Sequence, residues 1–184
     1  MKRGIEATTT LQVSFEEARR VLADDPASVV ADRDVEVPSG GDDGDQLRSE
    51  LGVALGATAF RQAVDIHVGD LFVTDAAAVL PLHWRASGRD RLFPVFDGRL
   101  EARPDAAGTG TVLSVIGVYT VPLGPVGRFG DGLIGRRLAR QSLTAFLEDA
   151  AGRIESDVHR RTTSEVWRPS PYSVALREGA SAAD

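Results

Sequence analysis

The stretch that decides the fold runs from Val112 to Ala139 and reads VLSVIGVYTVPLGPVGRFGDGLIGRRLA. Its beginning, from Thr111 to Tyr119, is apolar at both alternating sets of positions, which is typical of a central β-strand. Two prolines and three glycines between Thr120 and Gly130 prevent the sheet from continuing. Asp131 then stands where the N-cap of a helix is expected. The stretch therefore predicts a last strand, a turning loop and a C-terminal helix.

The predicted C-terminal helix is long and amphipathic. It extends from Asp131 to about Arg161, which at ~1.5 Å per residue gives a length of roughly 46 Å. Its polar side carries charged residues such as Arg140 and Glu148. Most of its apolar residues recur at steps of three and four: Leu133, Ile134, Leu138, Leu143, Phe146, Leu147, Ala150, Ile154 and Val158. Such a helix is expected to lie with its apolar side on the apolar face of a sheet.

Five segments before this stretch alternate between apolar and polar residues, as strands with one covered face do. They are Ile5–Val13, Leu47–Ala57, Phe60–Gly69, Val79–Ser87 and Phe93–Arg103. The last four of them follow one another at a spacing that is typical of an antiparallel meander. Between the first and second of them, Val29–Val37 is interpreted as a short edge strand.

A short helix is predicted directly after the first strand. Ser14 is followed three residues later by Glu17, which is the spacing of a capping box. The helix is expected to continue to about Ala23 and to end at Asp24-Asp25-Pro26.

The composition excludes several classes of function. The chain of 184 residues contains no cysteine, which removes thiol catalysis, cysteine-based zinc sites, iron–sulfur clusters and disulfides. Lys2 is its only lysine, so neither a Schiff-base mechanism nor a phosphate-loop lysine is expected. The net charge of −6 argues against nucleic acid as a partner. The lack of a long apolar run argues against secretion and stable membrane insertion, so we expect a cytoplasmic protein.

The order of elements resembles the START-like, or helix-grip, superfamily. Two segments resemble its bacterial polyketide cyclase/dehydrase and lipid-transport branch: VLPLHWRASGRDRLFPVFDGRLEARP at Val79–Pro104, and the stretch quoted first. The resemblance covers Gly4 to about Arg161. It implies an α+β fold in which a curved antiparallel sheet of six to seven strands wraps around the C-terminal helix and leaves a cavity between them. We expect one domain over residues 1–161 and a flexible tail over 162–184.

The cavity implied by the resemblance defines the candidate ligand-binding residues. Tyr119 supplies an aromatic wall with a hydroxyl that needs a partner. Gly117 leaves room for a close approach of either the helix or a ligand. The complete candidate set is Val64, Ile66, Leu82, Trp84, Phe96, Leu100, Val115, Gly117, Tyr119, Phe129, Leu133 and Phe146.

Two histidines raise the question of acid–base or metal chemistry. His67 and His83 fall on the polar sides of adjacent predicted strands, where His83 is expected to approach Asp65. A His–Asp pair can act as a general base or as half of a metal site. Cross-strand charge pairs are common on a solvent-facing side, and this interpretation is favoured over acid–base or metal chemistry. We therefore expect no metal, no cofactor and no catalytic residue here.

Three polar segments are interpreted as ordinary surface features. The acidic loop Asp42–Asp45 lacks the ligand ladder of a calcium loop and is typical of a solvated turn. The loop Gly124–Gly130 has the glycines of an anion cradle, but it is explained by the turn from sheet to helix. Arg136, Arg137 and Arg140 are expected to form a solvated helix face rather than a phosphate site.

Three functions remain open at this stage. The first is binding or transport of a hydrophobic small molecule or lipid in the cavity. The second is a polyketide cyclase- or dehydratase-like activity, with Tyr119 as proton donor or hydrogen-bond anchor. The third is a partner-binding module whose core is filled by its own side chains. Homodimer formation is also left open.

Overall fold

The computed structural model describes residues 2–31, 45–55, 58–86, 95–120 and 132–166. Seven strands and three helices lie within these ranges. In chain order they are β1 Lys2–Leu11, α1 Phe15–Asp24, α2 Pro26–Val30, β2 Asp45–Leu55, β3 Thr58–Val68, β4 Phe72–Val73, β5 Ala78–Ala86, β6 Val95–Pro104, β7 Thr111–Thr120 and α3 Gly132–Val166.

The strands form one curved antiparallel sheet. Its order is β1-β7-β6-β5-β3-β2, and the two-residue strand β4 pairs with β5 beside this path. The chain thus returns its last strand, β7, to the side of its first, and β1 and β2 become the two edges. This arrangement confirms the predicted α+β architecture of a sheet with a long C-terminal helix.

Where side chains are described, the alternation of β3 and β5 sorts their residues between core and solvent, as predicted. Val64, Ile66 and Val68 of β3 are buried, while Asp65 and His67 between them are only half-buried. The inward residues of the sheet and the apolar side of α3 form one contiguous core. Its members on the sheet and on α3 include Leu82, Trp84, Phe96, Leu100, Leu113, Val115, Leu143, Phe146, Leu147 and Ile154.

Helix α1 begins with the capping box that its sequence predicts. The Ser14 hydroxyl accepts a hydrogen bond from the Glu17 backbone N–H at 3.3 Å. In return, the Glu17 carboxylate accepts from the Ser14 hydroxyl at 2.6 Å and from the Ser14 backbone N–H at 3.0 Å. These two hydrogen bonds to the charged form lower the pKa of Glu17.

Two predicted boundaries are wrong. Val29 and Val30 lie in helix α2 instead of an edge strand, because Pro26 occupies the first turn and the Asp25 carboxylate accepts a hydrogen bond from the Ser28 N–H at 3.0 Å. This proline-initiated, capped turn outweighs the strand preference of the two valines. The second difference is that helix α3 continues to Val166, beyond the predicted end near Arg161.

Several predictions fall on residues outside the described ranges. They concern the remainder of the proposed edge strand at 32–37, the acidic loop at 42–44, the glycine-rich loop, Asp131, and the tail beyond 166. In the described part of the chain, no helix combines the length and apolar character needed to cross a bilayer.

Candidate ligand-binding site

Helix α3 lies close to the two edges of the sheet and farther from its middle. In the described part of the chain, its backbone approaches β1 and β7 on one side and β2 on the other more closely than it approaches β3, β5 and β6. This is the geometry expected when a curved sheet holds a helix across its concave face. Over the middle strands, the distance between sheet and helix is therefore bridged by side chains.

Three aromatic side chains, from here on the aromatic layer, extend into this space. Trp84 of β5 stacks on Phe96 of β6, with ring centroids 4.0 Å apart and an angle of 17° between the ring planes. Phe146 of α3 meets Trp84 with centroids 5.2 Å apart and an angle of 44°. Each of the three residues is at most 3% exposed. The aromatic layer thus connects the helix to the middle of the sheet through contacts between aromatic rings.

Tyr119 stands at the border of the aromatic layer. It lies directly opposite Phe96 in the register of β6 and β7, and it is 2% exposed. Within the described residues, Tyr119 and Ala139 are buried without belonging to the contiguous core cluster. Ala139 precedes Leu143 by one turn of α3, on the same side of the helix. The sequence identified Tyr119 as the polar residue of the site, and the structure places it at the edge of the packed core.

Gly117 lies against the neighbouring strand and the Phe96 ring, and its part in holding a ligand stays a prediction. It pairs with Gly98 across β6 and β7. A Cβ atom on Gly117 would lie 2.5 Å from the Asp97 carbonyl oxygen and 2.6 Å from Cζ of Phe96. The Phe96 ring therefore covers the two facing glycines, and the neighbouring strand occupies the space that a side chain would need.

The remaining candidate residues fall into two groups. Val64, Ile66, Leu82, Leu100 and Val115 are buried in the same core cluster as Phe146. Phe129 lies outside the described residues, and Leu133 belongs to α3 without a described side chain. The role of the whole set in holding a ligand stays a prediction.

The two histidines lie together on the opposite, outward face of the sheet. His67 and His83 are directly opposite across β3 and β5, with ring centroids 6.1 Å apart. Asp65 faces Arg85 instead, with 4.0 Å between its Oδ2 and Arg85 Nε, so the predicted approach of His83 to Asp65 is wrong. The cross-strand neighbour of His83 on its other side is Asp97. Within the described ranges, no three His, Asp or Glu residues are grouped so that they could hold a metal ion.

Two depressions lie on the described surface away from the aromatic layer. One, of about 560 Å³, surrounds His67, His83 and Asp97 on the outward face. The other, of about 520 Å³, lies between α2 and α3, where Arg153 Nη1 donates to the Val29 carbonyl oxygen at 3.2 Å. Carboxylates and guanidinium groups line the second depression, so its chemistry is polar.

The sequence analysis missed a buried carboxylate on the outward face. Glu101 of β6 is 3% exposed, and its two carboxylate oxygens meet the Nε atoms of Arg99, at 3.0 Å, and of Arg103. The alternating pattern Arg-x-Glu-x-Arg places all three on one face of the strand, and this is the signal that could have indicated the cluster. In the predicted arginine cluster on α3, Arg137 and Arg140 are exposed, as expected of a solvated face.

No protein family model matches the chain, and no curated protein matches it. Several solved structures are similar to it. The similarity to Ara h 8.0201 extends over 85% of this chain and 99% of that protein, with 12% sequence identity and a TM-score of 0.51. The di-domain ARO/CYC BexL of the BE-7585A biosynthetic pathway covers 84% of this chain, with 10% identity and a TM-score of 0.51; this chain spans 49% of it. Zhui, an aromatase/cyclase from Streptomyces sp. R1128, covers 88% of this chain and 96% of its own, with 18% identity and a TM-score of 0.48.

The likeness to the first two structures concerns the fold. It shows that the chain has the helix-grip fold, as the sequence predicted. Fold similarity at this level of identity leaves the function to be argued from the site itself.

Proposed function

We propose that this helix-grip protein binds an apolar small molecule between the middle of its sheet and helix α3. The observation that carries the proposal is the distance between α3 and the middle strands, which only side chains bridge. Concave, largely apolar spaces with a few polar groups are the usual form of small-molecule sites. One of the similar structures named above, BexL, is an ARO/CYC of a biosynthetic pathway, which supports a small-molecule ligand for this fold.

The ligand is proposed to enter beside Tyr119. This residue and Ala139 are buried at the border of the contiguous core, so a molecule bound there extends the aromatic layer. The phenol hydroxyl then offers a hydrogen bond at an otherwise apolar surface. Binding adds apolar contact area to Phe96 and the helix, and the removal of that area from water supplies the affinity.

One observation favours a second candidate function, in which the core is filled and the protein binds partners through its surface. Trp84 and Phe96 are already in ring contact, and Phe146 closes the same space from the helix. If these side chains leave no room, the aromatic layer serves stability alone. The two functions differ in whether the purified protein takes up an apolar molecule.

The test uses the full chain and Nile red, an uncharged apolar dye that fluoresces in dry surroundings. We expect saturable binding at one site per chain. Ala139→Trp adds a large side chain on the inward side of α3. It is expected to weaken dye binding at least about tenfold while the helical circular dichroism signal stays unchanged. Thr144→Trp adds the same side chain at an exposed position of the same helix and is the matched control.

The outcomes separate the two functions. Dye binding by the wild type and by Thr144→Trp, but not by Ala139→Trp, supports the ligand site. A wild type that binds no dye, together with an Ala139→Trp variant destabilised by about 1–3 kcal/mol through overpacking, supports the filled core. Equal dye binding by all three proteins would place the dye elsewhere and contradict the proposed site.

A further inference from the structure

The inward face of the sheet carries a cation at one edge. Arg3 of β1 lies directly opposite Tyr119 of β7 in the strand register. Directly opposed residues of an antiparallel pair have their side chains on the same face, so Arg3 shares the concave face with Tyr119. Arg3 is half-buried, whereas the preceding residue Lys2 is exposed and lies on the outward face.

This pair begins a row of inward residues that crosses the described side chains of five neighbouring strands. In order along the row they are Arg3, Tyr119, Phe96, Trp84 and Ile66. With neighbouring strands about 4.8 Å apart, the row is roughly 19 Å long. The chemistry changes in one direction along it, from a guanidinium group through a phenol and two aromatic rings to the aliphatic side chain of Ile66.

We propose that the ligand is an apolar carboxylic acid, with its carboxylate held by Arg3 and the Tyr119 hydroxyl and its apolar body against the aromatic layer. This inference rests on the proposed function and specifies the ligand class. A guanidinium group donates two parallel hydrogen bonds to a carboxylate, and these charge-assisted bonds are stronger than neutral ones. The half-buried position of Arg3 strengthens the attraction further, because solvent screens it less than at the surface.

The test compares an acid with its uncharged counterpart. Decanoate and methyl decanoate share the same apolar chain, and each is titrated against protein loaded with Nile red. At neutral pH, we expect the dissociation constant of decanoate, obtained from displacement of the dye, to be at least about tenfold lower than that of the ester, because the carboxylate accepts charge-assisted hydrogen bonds. Isothermal titration of decanoate alone measures the same affinity without the dye.

Two variants assign the preference to its residues. Arg3→Gln is expected to weaken the binding of decanoate about tenfold or more and to leave the binding of methyl decanoate unchanged. Lys2→Gln removes the same charge from the opposite face of the same strand, and it is expected to keep the wild-type preference. Tyr119→Phe removes only the hydroxyl, so it tests the same carboxylate site with minimal effect on packing if Arg3→Gln does not fold.

Several results would overturn the inference. Nile red binding with equal displacement by acid and ester would leave the proposed function standing and refute the carboxylic acid. An equal loss of both competitors in Arg3→Gln would show a structural effect of Arg3 rather than recognition of the carboxylate. A protein that binds neither dye nor decanoate, the latter by calorimetry, would refute the ligand class and the proposed function together.

Discussion

Phe146→Ala tests whether helix α3 is held to the sheet through the aromatic layer. Phe146 is 2% exposed, and its ring contacts Trp84 with centroids 5.2 Å apart. A buried aromatic side chain covers roughly 150–250 Å², which at ~25 cal/mol per Å² corresponds to about 4–6 kcal/mol. Because alanine retains part of this area, we expect the free energy of unfolding to fall by about 3–5 kcal/mol.

Urea denaturation followed by far-UV circular dichroism measures this change. The slope of the free energy against urea concentration is expected to stay the same, since the unfolded chain exposes nearly the same surface. Phe72→Ala is the matched control, because Phe72 is 63% exposed on β4 and its loss is expected to change stability by at most about 0.5 kcal/mol. A Phe146→Ala variant that loses no more than this control would refute the view that the aromatic layer joins helix and sheet.

Three further changes test other contacts. Gly117→Ala is expected to lower the free energy of unfolding in urea by about 1–3 kcal/mol, because its Cβ would overlap the neighbouring strand. Gly4→Ala, whose Cβ meets nothing within 4 Å, should be tolerated, and equal urea midpoints of the two variants would contradict the close contact at Gly117. Ser14→Ala is expected to cost about 1 kcal/mol at pH 7. Because its hydrogen bonds to the Glu17 carboxylate lower the pKa of Glu17, Ser14 adds stability above the carboxyl pKa of the unfolded chain, and this contribution is lost as the pH falls through the pKa of the folded protein. The stability difference between wild type and Ser14→Ala should therefore shrink below about pH 4, and an unchanged difference at pH 3 would contradict this. Glu101→Gln, which leaves two exposed arginines without their buried carboxylate, is expected to lower stability by about 1–3 kcal/mol. A variant with the wild-type thermal midpoint would show that the ion cluster contributes nothing.

The sequence by itself determined most of the elements and their faces, although it did not show helix α2 or the short strand β4. The alternation in β3 and β5 and the steps of three and four in α3 are local patterns, and each specifies which side of its element is apolar. The Ser14–Glu17 spacing likewise determines where α1 begins, because both partners lie within one turn. Since one sheet and one long helix then have matching apolar faces to bury, the helix-grip architecture could be predicted.

The tertiary structure alone decided which residues of different strands stand opposite each other. The local pattern places His83 on the outward face, but the register of β3 against β5 gives it His67 rather than Asp65 as its neighbour. In the same way, the pairing of β6 with β7 brings Gly98 to Gly117, and the pairing of β1 with β7 brings Arg3 to Tyr119. Register depends on where each connection ends and on the packing of distant segments, and a shift of two residues would preserve every apolar face while changing every neighbour. The periodicity of apolar residues can therefore be seen within a single segment. Which residues form a site that spans several strands depends on the assembled sheet.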